Sequence, residues 1–346
     1  MLYKRITMTT IFITGATGLV GFRILLAALT AGYKVRYAVR SEKKAQVVST
    51  NPAIQKVPII ARDSLSSVII PDFTVDGAFD SALRGITHII HAGTPVPVPT
   101  HNPMTEVFEP TIKITSNLLT SALKSPSVRR VVITSTIVSN LPLGASPLAM
   151  NAVTASHRPP LPNPVPSTFN DVFEAYILGK LVQLHQSDDV VKTQPHFTVS
   201  NIMPGYVFGR NELMLDAIMM QTQNSSNNFL MMGMLGGELP FPIHGGFVHI
   251  DDLADVYLRV TFLDSEEPRD FGVATEVDYR TIFSYVEKAF PNAVAAGIFK
   301  RGQVPTLPVN YDSSDVEKML GRLKSFEDAV VDVAGQYLEK VGVERA

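Results

Sequence analysis

A β-branched run that empties into closely spaced glycines constrains the fold of this chain more than any other feature. Thr10-Ile11-Phe12-Ile13-Thr14 passes directly into Gly15-Ala16-Thr17-Gly18-Leu19-Val20-Gly21, and an apolar helical pattern follows. A glycine cluster that ends a strand and opens a helix is the context in which it binds a dinucleotide. Gly15 permits the tight turn, Gly18 lets backbone approach a pyrophosphate, and Gly21 allows close helix packing. Thr17, Leu19 and Val20 complete the expected cradle, where free N–H groups and the helix dipole favour phosphate. The spacing is Gly-x-x-Gly-x-x-Gly, one residue longer between the first two glycines than the commonest pattern.

The rest of the chain sustains this start. Short apolar runs at Thr10–Thr14, Lys34–Val39, Val68–Pro71, His88–His91, Arg130–Thr134 and Thr198–Ile202 read as strands. Several are continuous, as in strands buried on both faces. Helical stretches at Val20–Ala31, Ser41–Val48, Met104–Lys124 and Asp171–Ser187 lie between them. Such alternation predicts an α/β fold: a doubly wound, Rossmann-type parallel sheet. Ser313–Gly321 and Phe326–Val341 read as closing helices. Residues 141–168 break the rhythm with a proline-dense segment that either overhangs the site or runs as a solvated linker. The methionines of 211–246 fill core or line an adaptable pocket.

Composition narrows the function classes. The net charge of −2, without a basic cluster, argues against nucleic acid, and the absence of cysteine removes disulfides and thiolate chemistry. The amino terminus runs straight into a strand, not a signal peptide, and no apolar stretch is long enough to span a bilayer. A soluble, cytoplasmic protein with no membrane partner is expected. His249 and Asp251-Asp252 lack an evident third ligand, so no metal is expected.

The end of the second strand chooses the dinucleotide. An NAD site usually places Asp or Glu there. This chain has Arg40, with Lys44 one helical turn on, and a guanidinium grips a 2′-phosphate where a carboxylate repels it. NADP(H) is therefore the expected cofactor. Asp72 and Phe73 exit the third strand and are the expected adenine contacts, with Asp63 as rival to Asp72. Ala92, Gly93 and Thr94 end the fourth strand with the small residues a nearby cofactor requires.

Tyr176 and Lys180 stand four apart, on one helix face. An ammonium near a phenol favours the phenolate and lowers its pKa. Together with the hydroxyls of Thr134-Ser135-Thr136 they supply a hydroxyl, a phenol and an ammonium, and with the glycine loop they point to hydride transfer.

On these motifs, with Pro204-Gly205-Tyr206-Val207-Phe208-Gly209 and Phe247-Val248-His249-Ile250-Asp251-Asp252, the chain resembles an extended short-chain dehydrogenase/reductase. More narrowly it is similar to the dihydroflavonol reductase, carbonyl reductase and fungal methylglyoxal reductase-like group. The resemblance implies catalytic Thr136, with Ser135 as competitor, Tyr176 and Lys180. It further implies that Thr134, Tyr176 and Lys180 touch the cofactor and that Pro204, Gly205 and Val207 border the nicotinamide. A small-molecule carbonyl substrate and a monomer or homodimer follow from the same likeness. So does an interleaved arrangement: residues 9–205 with 247–262 as the dinucleotide domain, 206–246 and 263–346 as a smaller substrate lobe. Threonine stands where relatives usually carry serine, and the chain has no tryptophan, which many of them place before the tyrosine. Two other readings share the fold: an NAD-dependent sugar-nucleotide epimerase or dehydratase, and a non-catalytic dinucleotide sensor.

Overall fold

The structure is a computed structural model that describes residues 9–141, 152–264 and 269–343. Seven strands form a wholly parallel sheet: β1 (Thr10–Thr14), β2 (Lys34–Val39), β3 (Leu65–Ile69), β4 (His88–His91), β5 (Arg130–Thr134), β6 (Thr198–Pro204) and β7 (Phe271–Val273). Their order is β7-β6-β5-β4-β1-β2-β3. The chain leaves β1 toward β2 and β3, then returns to place β4 on the other side of β1. That reversal is the switch point where open α/β sheets take their ligands.

Strand periodicity sorts the core into two layers. Ile11 and Ile13 face one apolar cluster, while Phe12 between them faces the other. The first layer is covered by α1 (Leu19–Thr30) and α5 (Ile250–Thr261), which pack on each other. The second is covered by α3 (Glu109–Leu123) and the carboxyl end of α4 (Val172–Lys192). Two further helices matter below: α2 (Glu42–Ser49) follows β2, and α6 (Phe326–Val341) closes the fold.

Several elements differ from their sequence expectation, three of them for a plain physical reason; β6 and α4 also run on, to Pro204 and Lys192. β3 starts at Leu65, not Val68, because Ser66 and Ser67 lie exposed on an edge strand and carry no apolar signature. β7, three residues long, lacks the length that marks a strand in sequence. The helix expected from Met104 instead begins as a π-helical turn, Pro103–Phe108, capped by Asn102, before α3 proper.

Beyond β6 the strand Tyr206–Phe208 pairs in parallel with Gly246–His249, which pairs antiparallel with Thr275–Glu276. Residues 247–249 thus belong to a small separate sheet, and the following α5 returns to pack on α1. Phe208, Phe247, Tyr279 and Phe326 cluster at this sheet, with neighbouring ring centroids 5.3 to 6.1 Å apart and most pairs edge to face. They belong to the same apolar cluster as Ile11 and Leu25, so one core runs through both parts of the molecule.

The described part of the proline-rich segment lies along α4. Arg158 donates to both carboxylate oxygens of Asp188, at 2.8 and 3.2 Å, and is paired with Asp270 as well. His185 meets the Pro159 carbonyl at 2.9 Å, and Leu161 and Phe169 join Phe108 and Leu178 in one apolar cluster. Residues 142–151 of that segment lie outside the described residues. No described helix is long and apolar enough to cross a membrane.

Candidate active site

The crevice at the mouth of β1 and β4 is made by backbone meeting backbone. Gly15 has φ +79°, in the region that favours glycine, and a Cβ there would lie 2.6 Å from Ala92 and Gly93 backbone atoms. A Cβ at Gly93 would in turn sit 2.7 Å from Gly15 N, and one at Gly21 2.3 Å from Gly15 O. Gly18 is different: a Cβ would meet only Gly15 O, at 3.5 Å. The fold itself tolerates a side chain there, so glycine at this position keeps space open above the start of α1. That helix has no side-chain cap and no acidic residue in its first turn, which leaves its dipole free to receive an anion. Gly15, Thr17, Gly18, Leu19 and Val20 therefore fit a pyrophosphate.

Arg40 is exposed at the end of β2, and Lys44 is exposed in the first turn of α2, where its N–H bonds the capping Ser41 at 3.4 Å. Asp72 follows β3 at the carboxyl end of the sheet, whereas Asp63 precedes β3 at the opposite end. Asp72 Oδ1 accepts from the Thr74 amide at 2.8 Å and hydroxyl at 2.7 Å. Those bonds, with a smaller effect from Arg40, lower its pKa. Phe73 packs inward, 5.3 Å from the Phe79 ring, and its carbonyl accepts from Asn117. Pro204 ends β6, and Val207 is buried beside it; between them Gly205 approaches Gly246 too closely for any Cβ.

The hydroxyl groups at the end of β5 point in different directions. Thr134 Oγ1 shares a 2.5 Å bond with the Tyr257 hydroxyl, and its carbonyl accepts from Lys180 Nζ at 2.7 Å. Ser135 turns inward to Ser139, at 3.0 Å. Thr136 lies beside Tyr176, close enough for its side chain to lower the phenol's pKa. The structure thus brings Thr136, Tyr176 and Lys180 to the carboxyl end of β5 and leaves Ser135 apart. Asp171 fixes where this helix begins, its carboxylate accepting from the Phe173 and Glu174 amides.

The electrostatics correct one expectation. Lys180 was expected to lower the Tyr176 pKa, yet burial pushes the phenol up to about 12, offset in part by the Thr136 side chain. Lys180 Nζ lies 6.0 Å from the ring centroid and is turned toward Thr134 O and Gln183 Oε1, the latter at 3.0 Å. Burial also brings Lys180 down to about 7.

Sequence reasoning missed the neighbours of this pair. Tyr206 lies close enough to Tyr176 to feel its charge, and its ring stacks on His244 with centroids 4.4 Å apart. Burial lowers His244 to about 4. Tyr257 and Gln183 carry polar atoms on the buried faces of their helices. A cavity of about 600 Å³ opens elsewhere, lined by Arg158, Asp188, Asp270 and Asp315. Asp188 is twelve residues from Tyr176 along α4, about 18 Å at helical rise.

His249 does gain a third neighbour in space, Asp332, alongside Asp251. Its Nδ1 accepts from the Asp251 amide at 3.1 Å, and Nε2 faces Asp332 at 3.2 Å. Asp251 is itself paired with Arg23 at 2.6 Å and Lys324 at 2.5 Å. Both ring nitrogens are engaged, so the group reads as a clasp between α1, α5 and α6.

A glycine-lined switch-point crevice opening on a Tyr–Lys helix is the arrangement of Rossmann-type dinucleotide enzymes. Residues 11–274 match the model of the NAD dependent epimerase/dehydratase family, and the chain belongs to that family, in its extended short-chain dehydrogenase/reductase branch. It is 33% identical over 335 residues to the NAD-dependent epimerase/dehydratase ALT6 of Alternaria alternata, covering 90% of this chain and 92% of that one. It is 31% identical to the ketoreductase CTB6 of Cercospora beticola, over 95% of both chains. Among solved structures, yeast methylglyoxal/isovaleraldehyde reductase Gre2 complexed with NADPH is similar in fold, with TM-score 0.82, 20% identity, and coverage of 96% of this chain and 99% of that one.

Proposed function

We propose that this chain is an NADPH-dependent reductase that delivers hydride to the ketone or aldehyde carbon of a mostly apolar small molecule, with Tyr176 as proton donor. The observation that carries this reading is the meeting of Thr136 and Tyr176 at the carboxyl end of β5, where the Thr136 side chain lowers the phenol's pKa, with Lys180 one turn along the same helix. Held at about 12 by burial, the phenol stays protonated at neutral pH, the state a donor needs. Thr136 and Tyr176 orient the carbonyl oxygen, and the phenol proton goes to that oxygen. Lys180 supplies positive charge beside the tyrosinate that remains.

Bound NADPH supplies the hydride. Gly15 to Val20 and the start of α1 would hold its pyrophosphate. Arg40 and Lys44 would hold the 2′-phosphate, and Asp72 and Phe73 the adenine. Ala92, Gly93, Thr94, Thr134, Pro204 and Val207 would flank the remainder. The unengaged N–H of Lys180 faces the ribose in this reading, since Thr134 O and Gln183 Oε1 take only two of three donors. The reductase names of relatives such as CTB6 support the same activity. The division into a dinucleotide domain (9–205 with 247–262) and a substrate lobe belongs to this proposal. A sugar-nucleotide reading is disfavoured because residues 211–246 contain no lysine or arginine to meet a diphosphate.

The test is consumption of NADPH by purified protein with a panel of ketones and aldehydes, in wild type and Tyr176→Phe. The variant is expected to lose about a hundred- to ten-thousandfold in kcat while still binding NADPH. Undiminished turnover by Tyr176→Phe sinks the proposal.

A further inference from the structure

Among the described residues, Lys180 is buried without a carboxylate partner. Its ammonium is 1% exposed and donates to two neutral acceptors, Thr134 O and Gln183 Oε1. The second acceptor is held by a sealed chain of side chains. Gln183 Nε2 donates to Thr115 Oγ1 on α3 at 2.7 Å, and Thr115 passes its own proton to Thr111 O at 3.1 Å. His91 Nε2, at the end of β4, is 3.3 Å from the same Thr115 oxygen, and His91 Nδ1 is 2.7 Å from Thr14 Oγ1. Thr14, His91, Thr115 and Gln183 are all 0% exposed.

Counting donors fixes the direction of every bond. Thr115 spends its proton on Thr111 O, so its two lone pairs accept from Gln183 and from His91 Nε2–H. His91 Nδ1 is then an acceptor for the Thr14 hydroxyl. Burial and the nearby Lys180 charge hold His91 down at about 3, so it remains neutral as this count requires. The Gln183 amide can therefore present only its carbonyl end to Lys180. The far end of the chain is Thr14, the residue before Gly15.

We propose that Gln183 is a positioning residue: its amide, oriented through Thr115 and His91, ties the Lys180 ammonium to the base of the glycine loop and balances it with a neutral dipole. This rests on the reductase reading for its catalytic meaning, though not for its physical test. The ionisable groups around Lys180 are Tyr176 on its own helix, His91 from β4, Tyr257 from α5 and Tyr206 from the strand 206–208. None of these described residues is a carboxylate, so among them a charge placed at position 183 acts unopposed.

The experiment follows Lys180 by NMR titration of carbon-labelled lysine in wild type, Gln183→Glu and Gln183→Met, together with the pH profile of kcat/KM. An adjacent carboxylate favours the ammonium, and loss of the amide dipole disfavours it. Gln183→Glu is expected to raise the Lys180 titration and move the alkaline fall of activity to higher pH, by on the order of one unit. Gln183→Met is expected to move both to lower pH and to cut kcat more than it changes KM for the carbonyl. Thr115→Val, which keeps Gln183 but frees its amide, is expected to move in the Met direction and serves if the Glu variant fails to fold. An unchanged Lys180 titration in the variants that fold overturns the proposal. The titration needs no turnover, so an inactive wild type would defeat the reductase reading while leaving this one decided by NMR.

Discussion

At the scale of single residues, the site is set by which polar groups are left free after the fold has satisfied its own. Ser135 and Thr136 are adjacent hydroxyls, yet Ser139 takes the first while the second lies beside Tyr176. Arg40 shows the same logic from the surface side. It follows β2 exposed, in the position where a carboxylate would select the unphosphorylated dinucleotide. Arg40→Asp is expected to raise KM for NADPH by about tenfold or more, the scale of one charge-assisted contact, and to narrow or reverse the preference over NADH. Steady-state kinetics with both cofactors checks this, and an unaltered preference would remove Arg40 from the phosphate site. Lys180 teaches a complementary lesson. Spacing put it on the face of Tyr176, but spacing says nothing about Thr134 O and Gln183, which decide where the ammonium turns.

At the scale of elements, α4 carries Tyr176 and Lys180, and its start is fixed by one side chain. Asp171 accepts from two amides of the first turn. Asp171→Ala is expected to cost about 1 kcal/mol, seen as a lowered urea midpoint with little change in slope. A midpoint equal to wild type would show the cap to be redundant. The central elements were legible in sequence. β1, β2, β4 and β5 have the limits their apolar runs suggest, because their middles are buried and polar residues such as Thr10, Lys34, His88 and Arg130 mark where they start. β3 was read late, since half of it faces solvent at the edge. The glycine cradle and the Tyr–Lys pair were visible because their chemistry requires fixed local spacing. Gln183, Thr115 and His91 were not, because their meeting depends on how α3, α4 and β4 pack, and residues 91 and 183 are distant in sequence. The proline-rich segment could be read only as overhang or linker; its course along α4 follows from Arg158 finding Asp188 and Asp270, two partners from different elements.

At the scale of the whole molecule, buried histidines set the response to acid. His91 is held near 3 by burial, against about 6.5 in an unfolded chain. Below about pH 6.5 the unfolded chain binds a proton the folded one refuses, so stability present above that pH falls as acid is added. For His91 the slope is about 1.4 kcal/mol per pH unit down toward its folded value. His88 and His244, both lowered to about 4 by burial, act in the same direction. Urea midpoints at about pH 7.5 and about pH 5 are expected to fall steeply in wild type and less steeply in His91→Asn. Equal slopes would refute the assignment. The shared core makes a second prediction. Residues 9–205 expressed alone would expose Phe208-facing and Phe326-facing apolar surface, so thermal unfolding of the full chain is expected as one calorimetric transition. Two resolved transitions would contradict it.

That shared core also governs how ligands come and go. A protein with two separately packed lobes can swing them apart like a clamshell. Here Ile11, Phe208 and Leu338 belong to one close-packed body, and such interiors resist being pulled open. Traffic to Tyr176 must therefore pass along the rim, by loops and side chains yielding over a rigid floor. Broadening what this catalyst accepts is accordingly a matter of recarving its doorway, not of loosening its frame.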